Sequence, residues 1–199
     1  MQCGDPPRLP QGPLILLTSP PLLKLALDWA AVWHAAQARK YPGVTVPYMS
    51  HVAGVAAILS RHGFAEPVVA AGALHDVLED CRVTYPALLE KFGPEVADLV
   101  RHVSEADRSL SWEERKAAYL EHFSHEPWDA QAITLADKID NFQSIVVCAR
   151  EFGDPWAMFK RGKDAQVGRF RDLLARARAL PTHSLIDEYA ATLSLVESV

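Results

Sequence analysis

Hydrophobic positions recur along this chain at intervals of three and four, the period that lines one face of an α-helix. Leu22, Leu25, Ala26, Trp29, Ala30 and Trp33 keep that spacing. Thr18 or Ser19 ahead of Pro20-Pro21 supplies the start signal, and the first helix is predicted to run to about Ala38. Arg39-Lys40-Tyr41-Pro42-Gly43 breaks the period, so 39–47 reads as a loop. Ser50 is the predicted cap of a second helix to about His62, with Val52, Val55, Ala56 and Leu59 inward and Gly63 just past its end. Glu66-Pro67 opens a third, which continues through Asp80. Thr84 and Pro86 begin a short helix ending at Phe92-Gly93, and Pro94 opens another to about Val103. Residues 104–111 read as a loop, and Ser111-Trp112-Glu113-Glu114 matches a capping box ahead of a helix to about Phe123. A long helical pattern follows from Trp128 to about Arg150. Two more helices are predicted, one from about Pro155 to Leu180 and one after Pro181 with Ser184 as its cap. No strand, repeat or low-complexity segment interrupts the pattern, so the expected fold class is all-α, a helical bundle.

The third helix carries the chemistry. Val68 to Leu74 is apolar, and His75-Asp76 and Glu79-Asp80 then follow with no Lys or Arg before Arg82. In a continuous helix His75 lies over Glu79 and Asp76 over Asp80. Buried carboxylates without a cation cost more than such a helix recovers, so these groups must face a cleft or a metal ion. A histidine satisfied by a neighbouring carboxylate explains a single His-Asp dipeptide more simply. It does not explain three clustered acids in an apolar helix. His51 in the second helix and Asp137 in the long helix, four residues before Asn141, add two more ligand types. His51, His75, Asp76 and Asp137 thus come from three helices, and two imidazoles with two carboxylates leave coordination positions open, as in catalytic rather than structural sites.

Composition narrows the function. At 199 residues and 49% hydrophobic content the chain holds one well-formed core, expected over 18–199 after a flexible Pro- and Gly-rich segment 1–17. A net charge of −5 argues against nucleic acid as a main partner, and any anionic ligand must be met by local charge. Leu14 to Leu17 is too short for a signal sequence, and no segment is long and apolar enough to span a membrane. Cys3, Cys81 and Cys148 show no CxxC spacing, which fits a reducing, cytoplasmic setting. His34, His62, His102, His122, His125 and His183 lack acids at suggestive spacing. The basic stretch 160–178 reads as a solvated helix face, with Lys160, Arg161 or Lys163 as candidates for a cleft mouth.

Tyr48-Met49-Ser50-His51, Leu74-His75-Asp76-Val77-Leu78-Glu79-Asp80 and Leu135-Ala136-Asp137-Lys138-Ile139-Asp140-Asn141 occur in this order over roughly residues 22 to 150. In that order and separation they resemble the HD-type hydrolase domain of the Rel/Spo alarmone enzymes, above all the stand-alone small alarmone hydrolases. The resemblance implies metal-dependent hydrolysis of the 3′-pyrophosphate of (p)ppGpp to GDP or GTP and pyrophosphate, with Mn²⁺ as the usual metal and a small-molecule nucleotide as partner. It assigns His51, His75, Asp76 and Asp137 to the metal, and Glu79 and Asp80 to the attacking water. It assigns Arg39, Lys40, Tyr48, Lys138, Asn141 and Ser144 to the nucleotide. Two departures stand out: Cys81 replaces the usual Thr after the Glu-Asp pair, and the turn between Lys40 and Tyr48 is longer than usual. Residue types alone leave iron or zinc open as the metal, and leave another nucleotide such as NADPH or a nucleoside monophosphate, or a non-catalytic nucleotide-binding role, open as alternatives. They do not define an oligomeric state.

Overall fold

The computed structural model describes residues 21–104 and 112–199. Helix α1 (Leu22–Trp33) turns Ala26 and Ala30 inward, and these small residues let it lie close to α3 (Glu66–Leu74). It ends about five residues before the predicted stop. The Gln37 amide closes a turn onto the His34 carbonyl at 2.8 Å, and the Gln37 carbonyl then accepts the Tyr48 N–H at 3.0 Å. Between them β1 (Ala38–Arg39) pairs antiparallel with β2 (Val46–Pro47), so the expected loop is a small hairpin, turned at Gly43 in the left-handed region (φ 72°). Helix α2 (Met49–Arg61) follows, with Tyr48 at its cap position rather than Ser50, which is exposed in the first turn.

Residues 68–74 of α3 are buried on every side, which explains their unbroken run of small and branched apolar side chains. The helix does not continue through Asp80. It breaks at His75-Asp76, which form a turn, and resumes as the single turn α4 (Val77–Asp80), so the continuous helix expected through Asp80 is divided at the two site residues themselves. Helix α5 (Tyr85–Val103) is kinked at Gly93 (φ 81°), where the sequence places a boundary between two helices. Helices α6 (Trp112–His125) and α7 (Trp128–Glu151) match their predicted spans within two residues.

The predicted helix from Pro155 to Leu180 is divided. A 3₁₀ turn (Pro155–Met158), capped by the Asp154 carboxylate accepting the Trp156 N–H at 2.8 Å, precedes α8 (Gly162–Ala177). Helix α9 (Ser184–Glu197) is capped by the His183 imidazole, which accepts the Leu185 N–H at 3.1 Å, while the Ser184 hydroxyl is hydrogen-bonded to His62. Expectations for segment 1–17, for Thr18 or Ser19, for the Ser111 box and for nearly all of the 104–111 loop lie outside the described residues.

Helix α7 runs through the middle of the fold, packing on α2, α3, α5 and α9. Phe142 sets its ring edge-on to Phe170 and Tyr189 at 4.7 and 4.9 Å, tying α7 to α8 and α9. The architecture is all-α, with one two-stranded ribbon among the described residues. No described helix is long and apolar enough to cross a membrane.

Candidate active site

Three helices and one break bring the site together. His51 leaves the first turn of α2, His75 and Asp76 occupy the break after α3, and Asp137 lies midway along α7. Ligand atoms of His51, His75 and Asp137 all lie within 4.8 Å of one another. Asp76 Oδ2 stands 3.0 Å from His75 Nε2 and 3.8 Å from His51 Nε2. All four residues expected at the metal are therefore brought together.

Each imidazole is anchored through its far nitrogen. His75 Nδ1 donates to the Gly72 carbonyl at 2.8 Å, and His51 Nδ1 meets the Asp140 carboxylate at 2.6 Å. Both partners accept, so the Nδ1 positions carry protons, and the two Nε2 atoms face each other at 3.2 Å. Two nitrogens that close, flanked by Asp137 and Asp76, call for positive charge between them, from a proton on His75 or from a metal ion. The pKa values report the same demand: burial disfavours charge on His75, yet Asp76 and Asp137 outweigh it and raise the imidazole to about 9. Burial would also raise Asp76 and Asp137. His75 holds Asp76 well below the carboxylate range, and Lys138 with the two imidazoles does the same for Asp137. Two neutral nitrogens and two carboxylate oxygens form a donor set suited to a divalent ion.

A cleft of about 580 Å³ opens over this cluster. Glu79 and Asp80 line it from α4, and Arg39, Lys40 and Tyr48 from the hairpin and the start of α2. Arg39 donates to Asn141 Oδ1 at 2.8 Å and to Ser144 Oγ at 3.0 Å, which joins three of the expected nucleotide contacts in one unit. Tyr48 donates its hydroxyl to Asp76, and burial together with that carboxylate pushes the phenol far above its ordinary range. Lys138 lies 2.5 Å from Asp137; burial opposes its charge, but the carboxylate raises it above the ordinary lysine value. All six expected nucleotide contacts line the cleft, with Lys40 the most exposed.

Some expectations do not hold. Lys160 and Arg161 are exposed and absent from the cleft lining, and Lys163 donates to the Glu197 and Val199 carbonyls at 2.8 and 2.5 Å. Arg169, two turns further along α8, lines the cleft instead. His62, His102, His122 and His125 do meet carboxylates: Glu188, Glu126, Glu126 and Glu121. The first two pairings join residues far apart in sequence and leave no mark in local spacing, whereas the last two lie four apart, a spacing the sequence reading passed over. Cys81 is half-buried and Cys148 is buried. Asp140, Gln37 and Tyr119 were not singled out from sequence. Asp140 follows Asp137 by three, a helical spacing that places it on the same side of α7.

A family profile described as HD domain matches residues 26–164. A guanosine-3′,5′-bis(diphosphate) 3′-pyrophosphohydrolase, MESH1, of Drosophila melanogaster is 41% identical over 61% of this chain and 68% of its own. The Homo sapiens protein of the same name is 38% identical over 63% and 70%. Among solved structures, one described as a metazoan ortholog of SpoT that hydrolyzes ppGpp superposes with a TM-score of 0.76 at 30% identity, covering 88% of this chain and 96% of its own.

Proposed function

This chain belongs to the HD domain family, and from that premise we propose that it hydrolyses the 3′-pyrophosphate of (p)ppGpp, giving GDP or GTP and pyrophosphate. The observation that carries the reading is the convergence of His51, His75, Asp76 and Asp137 at the floor of a cleft walled by Glu79, Asp80 and Arg39. The four floor residues would hold a divalent ion, for which Mn²⁺ is our assignment. When bound, such an ion lowers the pKa of water and offsets charge on phosphoryl oxygens.

The remaining steps belong to the protein's own groups. Asp140 fixes the orientation and tautomer of His51, and the Gly72 carbonyl does so for His75. Asp80 or Glu79 takes a proton from the attacking water, whose oxygen bonds to the phosphorus carried on the 3′ oxygen. The bond between that phosphorus and the 3′ oxygen breaks, and the oxygen leaves as the nucleotide's hydroxyl after protonation. Arg39, held by Asn141 and Ser144, offers a planar guanidinium over Tyr48, with its Cζ 5.9 Å from the ring centre, a surface suited to a nucleobase. Lys40 and Lys138 supply positive charge along the cleft.

In this reading 18–199 forms the hydrolase domain, and the cysteine usage supports a cytoplasmic setting. Product analysis tests the proposal: metal-stripped protein is incubated with ppGpp, with and without Mn²⁺. Pyrophosphate and GDP formed only with metal support it. Orthophosphate release from a different nucleotide would replace the substrate, and nucleotide binding without any turnover would replace the enzyme by a regulator.

A further inference from the structure

Asp80 is exposed at the cleft edge, on the last residue of a single helical turn. A carboxylate so placed needs an external restraint to face a water molecule, and the structure supplies one from the turn between α1 and β1. Gln37 Nε2 donates to Asp80 Oδ2 at 2.8 Å, and Gln37 Oε1 stands 2.7 Å from His34 Nδ1. The amide has one orientation here. Reversed, its oxygen would face a carboxylate oxygen, acceptor against acceptor; as placed, its oxygen faces the His34 ring nitrogen and its Nε2 donates to Asp80. His34 is itself buried, stacked on the Tyr48 ring at 4.7 Å and touched by Cys81 Sγ at 3.2 Å. The Gln37 backbone is fixed on both sides, through the His34 carbonyl and the Tyr48 N–H.

Resting on the reading of Asp80 as a proton acceptor, we infer that Gln37, locked by the buried His34, is the positioning residue that aims Asp80 at the attacking water. Through Tyr48, which stacks on the same imidazole and donates to Asp76, His34 also braces the metal side of the site. One ring capping the end of α1 thus orders two acids of different role.

Gln37→Met tests this, because it keeps the length of the side chain and removes both amide atoms. The expected result with ppGpp and Mn²⁺ is a kcat lowered by about tenfold or more, with KM, Mn²⁺ affinity and thermal midpoint nearly unchanged. In an Asp80→Asn background the same substitution adds no further loss, since the residue it acts through is already disabled. An unchanged kcat, or equal losses in both backgrounds, overturns the inference. A wild type inert toward ppGpp overturns the substrate reading alone. The contact is then read without substrate from the Gln37 side-chain amide signals by NMR, which move in Asp80→Asn and stay in place in the distant Asp98→Asn. Signals indifferent to Asp80→Asn overturn the inference on their own.

Discussion

Gly54 lacks a side chain because Asp140 occupies its space: a Cβ built at position 54 would lie 1.8 Å from Asp140 Oδ1 and 2.8 Å from its Cγ. The glycine sits one turn after His51 on α2, and the carboxylate it admits is the one that holds His51 Nδ1. Close approach of α2 to α7 and the tautomer of a candidate metal ligand therefore depend on the same missing methyl group.

Gly54→Ala must rotate Asp140 away from His51. Removal of such an outer partner typically weakens metal affinity by about 10–100-fold, and that loss is expected here in a Mn²⁺ titration of the folded variant. Retention of wild-type affinity would mean that Asp140 does not orient His51. Far-ultraviolet circular dichroism checks that the helices persist, since a shift of the carboxylate alone leaves them intact.

Asp80→Asn separates chemistry from metal binding. Asp80 stands outside the ring of His51, His75, Asp76 and Asp137, so the variant is expected to bind Mn²⁺ as the wild type does while losing roughly 10²-fold or more in turnover. His75→Ala is expected to lose both, because it removes one of the proposed ligands. Calorimetry with Mn²⁺ and pyrophosphate release measure the two properties separately, and equal loss of metal in both variants would merge roles that the geometry keeps apart.

The four residues of the proposed metal site could be singled out in sequence because each is a metal-binding residue type set in a helical stretch, and the resemblance to the alarmone hydrolases grouped them. The break at His75-Asp76 was not, since its residues carry no turn signal and the apolar run before them continues the helical pattern. The cause is tertiary: Gly72 gives its carbonyl to His75, and Tyr48 from another element holds Asp76. The α1 end was overrun for a similar reason, as Ala35 and Ala36 favour helix and the partner that competes for Gln37, Tyr48, lies eleven positions away. Gln37 and Arg169 were missed because a glutamine or an arginine becomes a cleft residue only through what the fold sets beside it.

Arg169 is expected to set affinity rather than rate. It reaches the cleft from α8, is hydrogen-bonded to Gln166, and lies on a different element from Lys138, Arg39 and Lys40. A substrate with phosphate groups at both the 3′ and 5′ positions needs cationic contacts beyond the metal cluster. Arg169→Gln is expected to raise KM for ppGpp about tenfold with kcat little changed, and to leave KM nearly unaltered for a guanosine 3′-diphosphate that lacks the 5′ phosphates. Equal effects on both substrates would place Arg169 in the framework of the cleft rather than at the 5′ end.

Away from the cleft, Glu188 on α9 ties that helix to the end of α2, pairing with His62 at 2.7 Å and with Arg61. Burial would raise its carboxyl, but the His62 and Arg61 contacts outweigh burial and hold it below the ordinary glutamate value. A carboxylate depressed in the folded state contributes stability above its unfolded pKa and loses it as pH falls through its folded pKa. The wild type should therefore lose stability more steeply than Glu188→Gln on acidification across roughly pH 5 to 3, and the two stability curves should converge at the acid end of that range. Urea unfolding of both proteins at each pH, read by circular dichroism, gives the comparison. Parallel curves would show that the α2–α9 contact rests on packing alone.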